Sequence, residues 1–181
     1  YASAYDEQGR LFESTDPMGR ITRTLYDDLG RVVAQIEGYE DATISREPNL
    51  PWGWRVDLGT NASDADRDLT TLYGYDDAGN QTYEVAVIYD STDPAGHPQD
   101  PIDSSIKFKV TRFVYGVTDP ATTPSGWEVG GSALNGRHLL ARIVHPDEYD
   151  PQETDPLSLK FKYNRLGEII ERSDQNDVVH A

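Results

Sequence analysis

Three carboxylates at alternate positions, Asp64, Asp66 and Asp68, come nearest in spacing to a recognised chemistry. Oxygen ligands at i, i+2 and i+4 open a calcium loop, because a hard cation must gather several oxygens from a short stretch of chain. Such a loop continues with a glycine at its sixth position and a bidentate glutamate at its twelfth. Leu69 and Tyr75 stand there instead. The full loop is absent, and Asp64, Asp66 and Asp68 remain candidates for a looser cation site. The four histidines, His97, His138, His145 and His180, are scattered, and no nucleophile elbow accompanies them. Solvated or hydrogen-bonded histidines are expected, not catalytic ones. With no cysteine, disulfides, zinc thiolates and thiol catalysis are excluded. No enzyme activity and no cofactor are expected.

Trp52 and Trp54 flank Gly53 in a proline-rich stretch, and Trp127 lies in another. Exposed, such rings could stack on sugars or anchor a protein partner. Folded back, they would cover a sheet face that is otherwise wet. The second role is the expected one, with glycan or protein binding as the alternative.

Charge narrows the partners. Sixteen basic and 32 acidic residues give a net charge of -16, which repels phosphate backbones and anionic membrane surfaces. No run of 18 apolar residues occurs, so no helical membrane insertion is expected. The apolar share of 36% suits a sheet that buries one face and wets the other.

The elements that position these residues follow from an internal repeat. Tyr-Asp, two variable residues, Gly, a polar residue and an apolar run appear as Tyr5-Asp6-Glu7-Gln8-Gly9-Arg10-Leu11 and as Tyr26-Asp27-Asp28-Leu29-Gly30-Arg31-Val32. Tyr75-Asp76-Asp77-Ala78-Gly79-Asn80 and Tyr163-Asn164-Arg165-Leu166-Gly167-Glu168 are further copies. A half-unit without tyrosine runs from Asp16 through Gly19 to Ile21, and Asp174–Val178 resembles another with Asp177 in the glycine position. Asp or Asn opens a turn by accepting backbone amides two residues on, and Gly supplies the positive φ that closes it. The spacing of Gly9, Gly19 and Gly30, about ten residues, predicts a β-meander. Between the turns, Leu157, Leu159, Phe161 and Tyr163 share one strand face, with Phe161 expected in a core. Ile106–Tyr115 reads as a long strand, while Val85–Tyr89 and Leu139–Val144 are uniformly apolar and expected to be covered on both sides. Segments 37–68, 90–105, 116–136 and 145–156 hold nearly all the proline and are expected as inserted loops.

The Tyr-Asp-x-x-Gly-Arg units with alternating half-units resemble the YD-repeat, or Rhs, family. Thr111–Thr118, Leu139–Asp147 and Phe161–Gly167 are also similar to phrases of the large Rhs proteins of planctomycete type. The resemblance implies an all-β fold, an antiparallel β-meander of YD repeats forming a segment of a spiral β-sheet shell, or β-cage, with long inserted loops. In bacterial members, including insecticidal toxin complexes, that shell encloses a C-terminal toxic domain; teneurins use a similar shell in adhesion. It implies neighbouring repeats of the same polypeptide as partners and a secreted or cell-surface bacterial location. The self-cleavage motif of bacterial members is not matched, since Asp16-Pro17-Met18-Gly19 shares only its first letters. Residues 1–181 are read as one repeat segment, and a first residue of Tyr1 makes an internal piece of a longer polypeptide the expectation.

Overall fold

The computed structural model describes residues 1–58, 68–89, 106–117, 136–148, 158–173 and 179–180. Among them every regular element is a strand, and the fold is all-β with antiparallel pairing, as the turn spacing predicts. The chain divides into two compact units, Tyr1–Gly74 with Tyr83–Lys109, and Tyr75–Thr82 with Val110–Ala181.

In the first unit, β1 (Ala2–Tyr5), β2 (Leu11–Thr15), β3 (Ile21–Tyr26) and β4 (Val32–Glu37) form a meander in chain order. The chain then leaves the sheet for a small hairpin, β5 (Thr43–Arg46) and β6 (Trp54–Asp57), and returns as β7 (Leu69–Tyr75) beside β4, followed by β8 (Gln81–Tyr89). β9 (Ile106–Val117) runs from the first unit into the second. The second unit continues with β10 (Gly136–Glu148), β11 (Ser158–Tyr163), β12 (Ile169–Ser173) and β13 (Val179–His180), again in chain order.

Three of the expected loop segments hold strand residues. Segment 37–68 contains the β5–β6 hairpin, whose strands are only four residues each and carry little apolar patterning. β9 extends to Val117 and β10 spans Gly136–Glu148, so both strands run past the expected loop edges at 116, 136 and 145. Segment 90–105 and the interiors of the other two lie outside the described residues.

Burial in the first unit is one-sided. Paired residues in an antiparallel ladder share a face, so the pairs Ala34↔Leu72 and Ile36↔Thr70 place four buried side chains together. The β5–β6 excursion covers this face: Trp52 packs on Tyr83 and Phe108, with ring centroids 6.4 and 5.2 Å apart. Gly74 makes the approach possible, since a Cβ there would lie 2.8 Å from the Trp52 Cα. Along β8, Val85 and Val87 are buried while Ala86 and Ile88 are exposed. The apolar run Val85–Tyr89 is therefore not covered on both sides, contrary to expectation. Its continuous hydrophobicity hides an ordinary one-faced strand. In the second unit Ala141 and Tyr163 are buried, with Leu139 and Phe161 packed against them. Phe161 is half-buried, at the margin of that cluster and not at its centre.

Candidate functional site: a turn that clasps itself and its neighbour

The residues with recurring geometry are those of the turns. In the first copy the Gly9 amide donates to the Asp6 carbonyl at 2.9 Å and the Asp6 amide to the Arg10 carbonyl at 2.9 Å. Gly9 takes φ +78°, which a side chain would strain. This is a turn closed by a left-handed glycine, a hairpin connection whose twist matches that of the strands. One Asp6 oxygen accepts the amides of Gln8 and Arg10 at 3.0 and 2.8 Å, while the other accepts Nε of Arg10 at 2.6 Å. The side chain thus holds the turn from inside and fixes the residue that follows the glycine.

Asp16 does the same with Arg20, Asp27 with Arg31 and Asp76 with Asn80. The fifth copy keeps the geometry and inverts the polarity. Oδ1 of Asn164 accepts the amides of Leu166 and Glu168, and its Nδ2 donates to the Glu168 carboxylate at 2.7 Å. The rule is a complementary pair at the first and fifth turn positions: Asp with Arg or Asn, or Asn with Glu. The aspartates are acidic in consequence. Burial pushes the Asp27 carboxyl up, but the Arg31 amide and guanidinium outweigh it and hold it below its ordinary 3.8. Asp6 and Asp76 show the same balance, with Arg10 and Asn80 prevailing over burial. At Asp16 the Arg20 amide leads and burial opposes it.

A bulge follows the turn in three hairpins. Tyr5 pairs with Leu11 but Ala4 with Glu13, leaving Phe12 unmatched. Tyr26 pairs with Val32 but Leu25 with Ala34, leaving Val33 unmatched. Tyr163 pairs with Ile169 but Lys162 with Glu171, leaving Ile170 unmatched. An extra residue shifts the returning strand by one position and increases its twist. Two adjacent apolar residues after each glycine, which simple alternation would place on opposite faces, mark these bulges.

Turns also touch across strands. The Arg10 guanidinium carbon sits 4.5 Å from the centroid of the Tyr26 ring, and one of its nitrogens donates to the Asp27 carbonyl at 3.4 Å. In return the Tyr26 hydroxyl donates to the Leu11 carbonyl at 2.8 Å. Tyr163 repeats the second contact, donating to the Leu140 carbonyl at 2.7 Å. The tyrosine of the repeat is therefore a cross-strand latch as well as a strand end. Asn80 reaches outward similarly, its Oδ1 lying 3.2 Å from Nδ1 of His138.

The other candidates separate. Trp52 is 2% exposed, and its Nε1 donates to the Trp54 carbonyl at 2.8 Å. A ring so covered has no face for a ligand. Trp54 is half-buried under the Arg46 guanidinium, 4.5 Å from its ring centroid. Trp127 lies outside the described residues, as do Asp64, Asp66 and His97. Asp68 is buried and ties the neck of the excursion: its carboxylate accepts the Glu40 amide at 2.9 Å and its own amide donates to the Gly38 carbonyl at 3.2 Å. Its φ of +49° fits a single left-handed residue at that neck. Among the described residues no group of three His, Cys, Asp or Glu could hold a metal ion.

The RHS Repeat family model matches residues 5–39, the stretch that holds the turns at 6–10, 16–20 and 27–31. No curated protein matches the chain. Among solved structures it is similar to a chain in the crystal structure of TcdB2-TccC3-Cdc42, with 14% identity and a TM-score of 0.29. The match covers 95% of this chain and 10% of that one, so this chain spans about a tenth of its length. The matched stretch is built from the clasped turn, and the same turn recurs at 76–80 and 164–168.

Proposed function

We propose that this chain is a non-catalytic wall segment, part of a β-sheet shell that encloses a C-terminal toxin or effector domain of a secreted or cell-surface bacterial protein. The observation that carries the reading is the clasped turn itself. Its recurring chemistry at Asp6, Asp27 and Asn164 is spent on holding strands to strands, through side chains that are already occupied. A sheet assembled strand after strand from such turns grows by addition, as repeat arrays do, and each unit needs neighbours to bury its face. The acidic surface keeps such a wall soluble. The alternative, adhesion or carbohydrate binding by loop aromatics, is left with fewer rings, since Trp52 is part of the packing.

The test is an intact-mass measurement and peptide map of the full native polypeptide, purified without denaturant. Containment predicts a cleaved C-terminal fragment that co-purifies and separates only on unfolding. One uncleaved chain with no trapped fragment would favour adhesion.

A further inference from the structure

We propose that a cleft on the sheet face opposite Trp52 binds a short zwitterionic peptide, with Arg20 taking its carboxylate and Glu37 its ammonium. The cleft holds about 420 Å³, within the range of about 300–1,000 Å³ typical of small-molecule sites. Its groups follow from the register. Ser14 pairs with Thr22, Thr22 with Glu37 and Glu37 with Leu69, so these four side chains form one row across β2, β3, β4 and β7. Ile36 and Thr70, their neighbours along β4 and β7, belong to the buried face on the other side. Arg20 stands two residues before Thr22 and lines the same cleft with Asp16. Residues 1–3 also border it, but the groups that recognise the ligand come from β2, the 16–20 turn, β3, β4 and β7.

Both charges are free to bind. Arg10 commits its whole guanidinium, with Nε on Asp6, one terminal nitrogen on the Asp27 carbonyl and the other on Gln8. Arg20 gives only Nε to Asp16, at 2.9 Å, and its side chain is 72% exposed. Its two terminal nitrogens make no hydrogen bond among the described residues, and they form a planar fork for a carboxylate. Glu37 is exposed, and its carboxylate makes no hydrogen bond or ion pair among the described residues. Spacing selects the ligand. Paired Cα atoms such as those of Thr22 and Glu37 lie about 5 Å apart, and two residues of extended chain span about 7 Å. The two ends of a dipeptide, which reaches about 7 Å when extended, can therefore meet Arg20 and Glu37 together. Thr22 stands between them in register, and its hydroxyl can donate to or accept from the central amide, with Ser14 beside it. Leu69, 49% exposed, is the partner of Glu37, so an apolar side chain belongs on the residue that carries the ammonium. This binding is independent of what the wall encloses.

The test is calorimetric titration of the full native polypeptide with leucyl-glycine, for which saturable binding is expected. Acetylating the peptide's amine or amidating its carboxyl should each weaken binding roughly tenfold or more, the loss of a charge-assisted hydrogen bond. Glycyl-leucine, with its apolar side chain at the wrong end, should bind more weakly than leucyl-glycine. Glu37→Gln should weaken leucyl-glycine roughly tenfold or more and leave the melting temperature unchanged, because its carboxylate holds nothing in the fold. Arg20→Gln should weaken leucyl-glycine but leave the amidated peptide unaffected, whereas a purely structural role for Arg20 would weaken both alike. Absence of saturable binding, equal binding of the acetylated peptide, or indifference to Glu37→Gln would each overturn the proposal.

Discussion

Arg10 lies over the ring of Tyr26 at 4.5 Å while the Tyr26 hydroxyl donates to the carbonyl of Leu11, the residue next to Arg10. Two units whose tyrosines, Tyr5 and Tyr26, stand twenty-one positions apart therefore hold each other in both directions. Each contact is modest, about 0.5–1 kcal/mol for a partly exposed cation over a ring and about 0.5–1.5 kcal/mol for a net hydrogen bond. Because they share residues, they should be coupled. A double-mutant cycle with Arg10→Ala and Tyr26→Ala, read by urea unfolding, is expected to show a coupling of about 0.5–2 kcal/mol. Additive losses would mean that the two side chains are neighbours without being partners.

Gly30 takes φ +81°, and a Cβ there would lie 3.6 Å from a nitrogen of Arg10. The strain is in the backbone, since that distance is ordinary contact. Gly30→Val should cost about 1–3 kcal/mol, and thermal melting should place it well below a surface control such as Asp28→Ser.

At Gly74 the constraint is space. Gly74→Ala would drive a methyl group to 2.8 Å from the Trp52 Cα, and neither backbone can yield cheaply. Overpacking of this kind costs about 1–3 kcal/mol. Trp52→Ala should cost more, about 3–5 kcal/mol, because it uncovers the face that holds Leu72 and Val85. Tryptophan fluorescence and denaturant midpoints check both.

The inverted clasp predicts a sign change. Asn164→Asp places a second carboxylate against Glu168 and should destabilise the turn. Adding Glu168→Arg should restore stability to at least the parental value, recreating the pair seen at Asp27 and Arg31. Failure of the second change to rescue the first would refute the pairing rule.

Acid should loosen the aspartate turns. The folded-state values of Asp6, Asp16, Asp27 and Asp76 lie below their ordinary 3.8, so their contribution is complete above that pH and is lost as pH falls through the lower folded values. Asn164 has no such proton to gain. Asp27→Asn should flatten the acid limb of the stability curve while lowering stability at pH 7 by about 1–3 kcal/mol. An unchanged acid limb would show that Asp27 does not report on that transition.

Much of this was legible because the turn is local. Asp, two residues and Gly determine a hairpin connection within five positions, and Gly9, Gly19 and Gly30 repeat it regularly. Arg10, Arg20 and Arg31 recur directly after those glycines, a signal that could have disclosed the clasp, yet at sequence level they read only as polar residues. The bulges were visible in the same way, as the doublets Leu11-Phe12, Val32-Val33 and Ile169-Ile170. The β5–β6 hairpin was not legible, because its strands are short and its burial comes through Trp52 meeting Tyr83 and Phe108, partners more than thirty positions away. The spacing of Asp68 made it a candidate for a looser cation site, and its contacts with Gly38 and Glu40 across the neck of the excursion were not legible from that spacing.

The central claim, that this sheet is a wall around another domain, is tested most directly by limited proteolysis of the native full-length polypeptide in increasing urea, with fragments identified by mass. The account predicts a C-terminal fragment that resists protease until the urea concentration at which the sheet melts, and is digested in the same transition. A fragment cleaved freely while the sheet remains folded would contradict it.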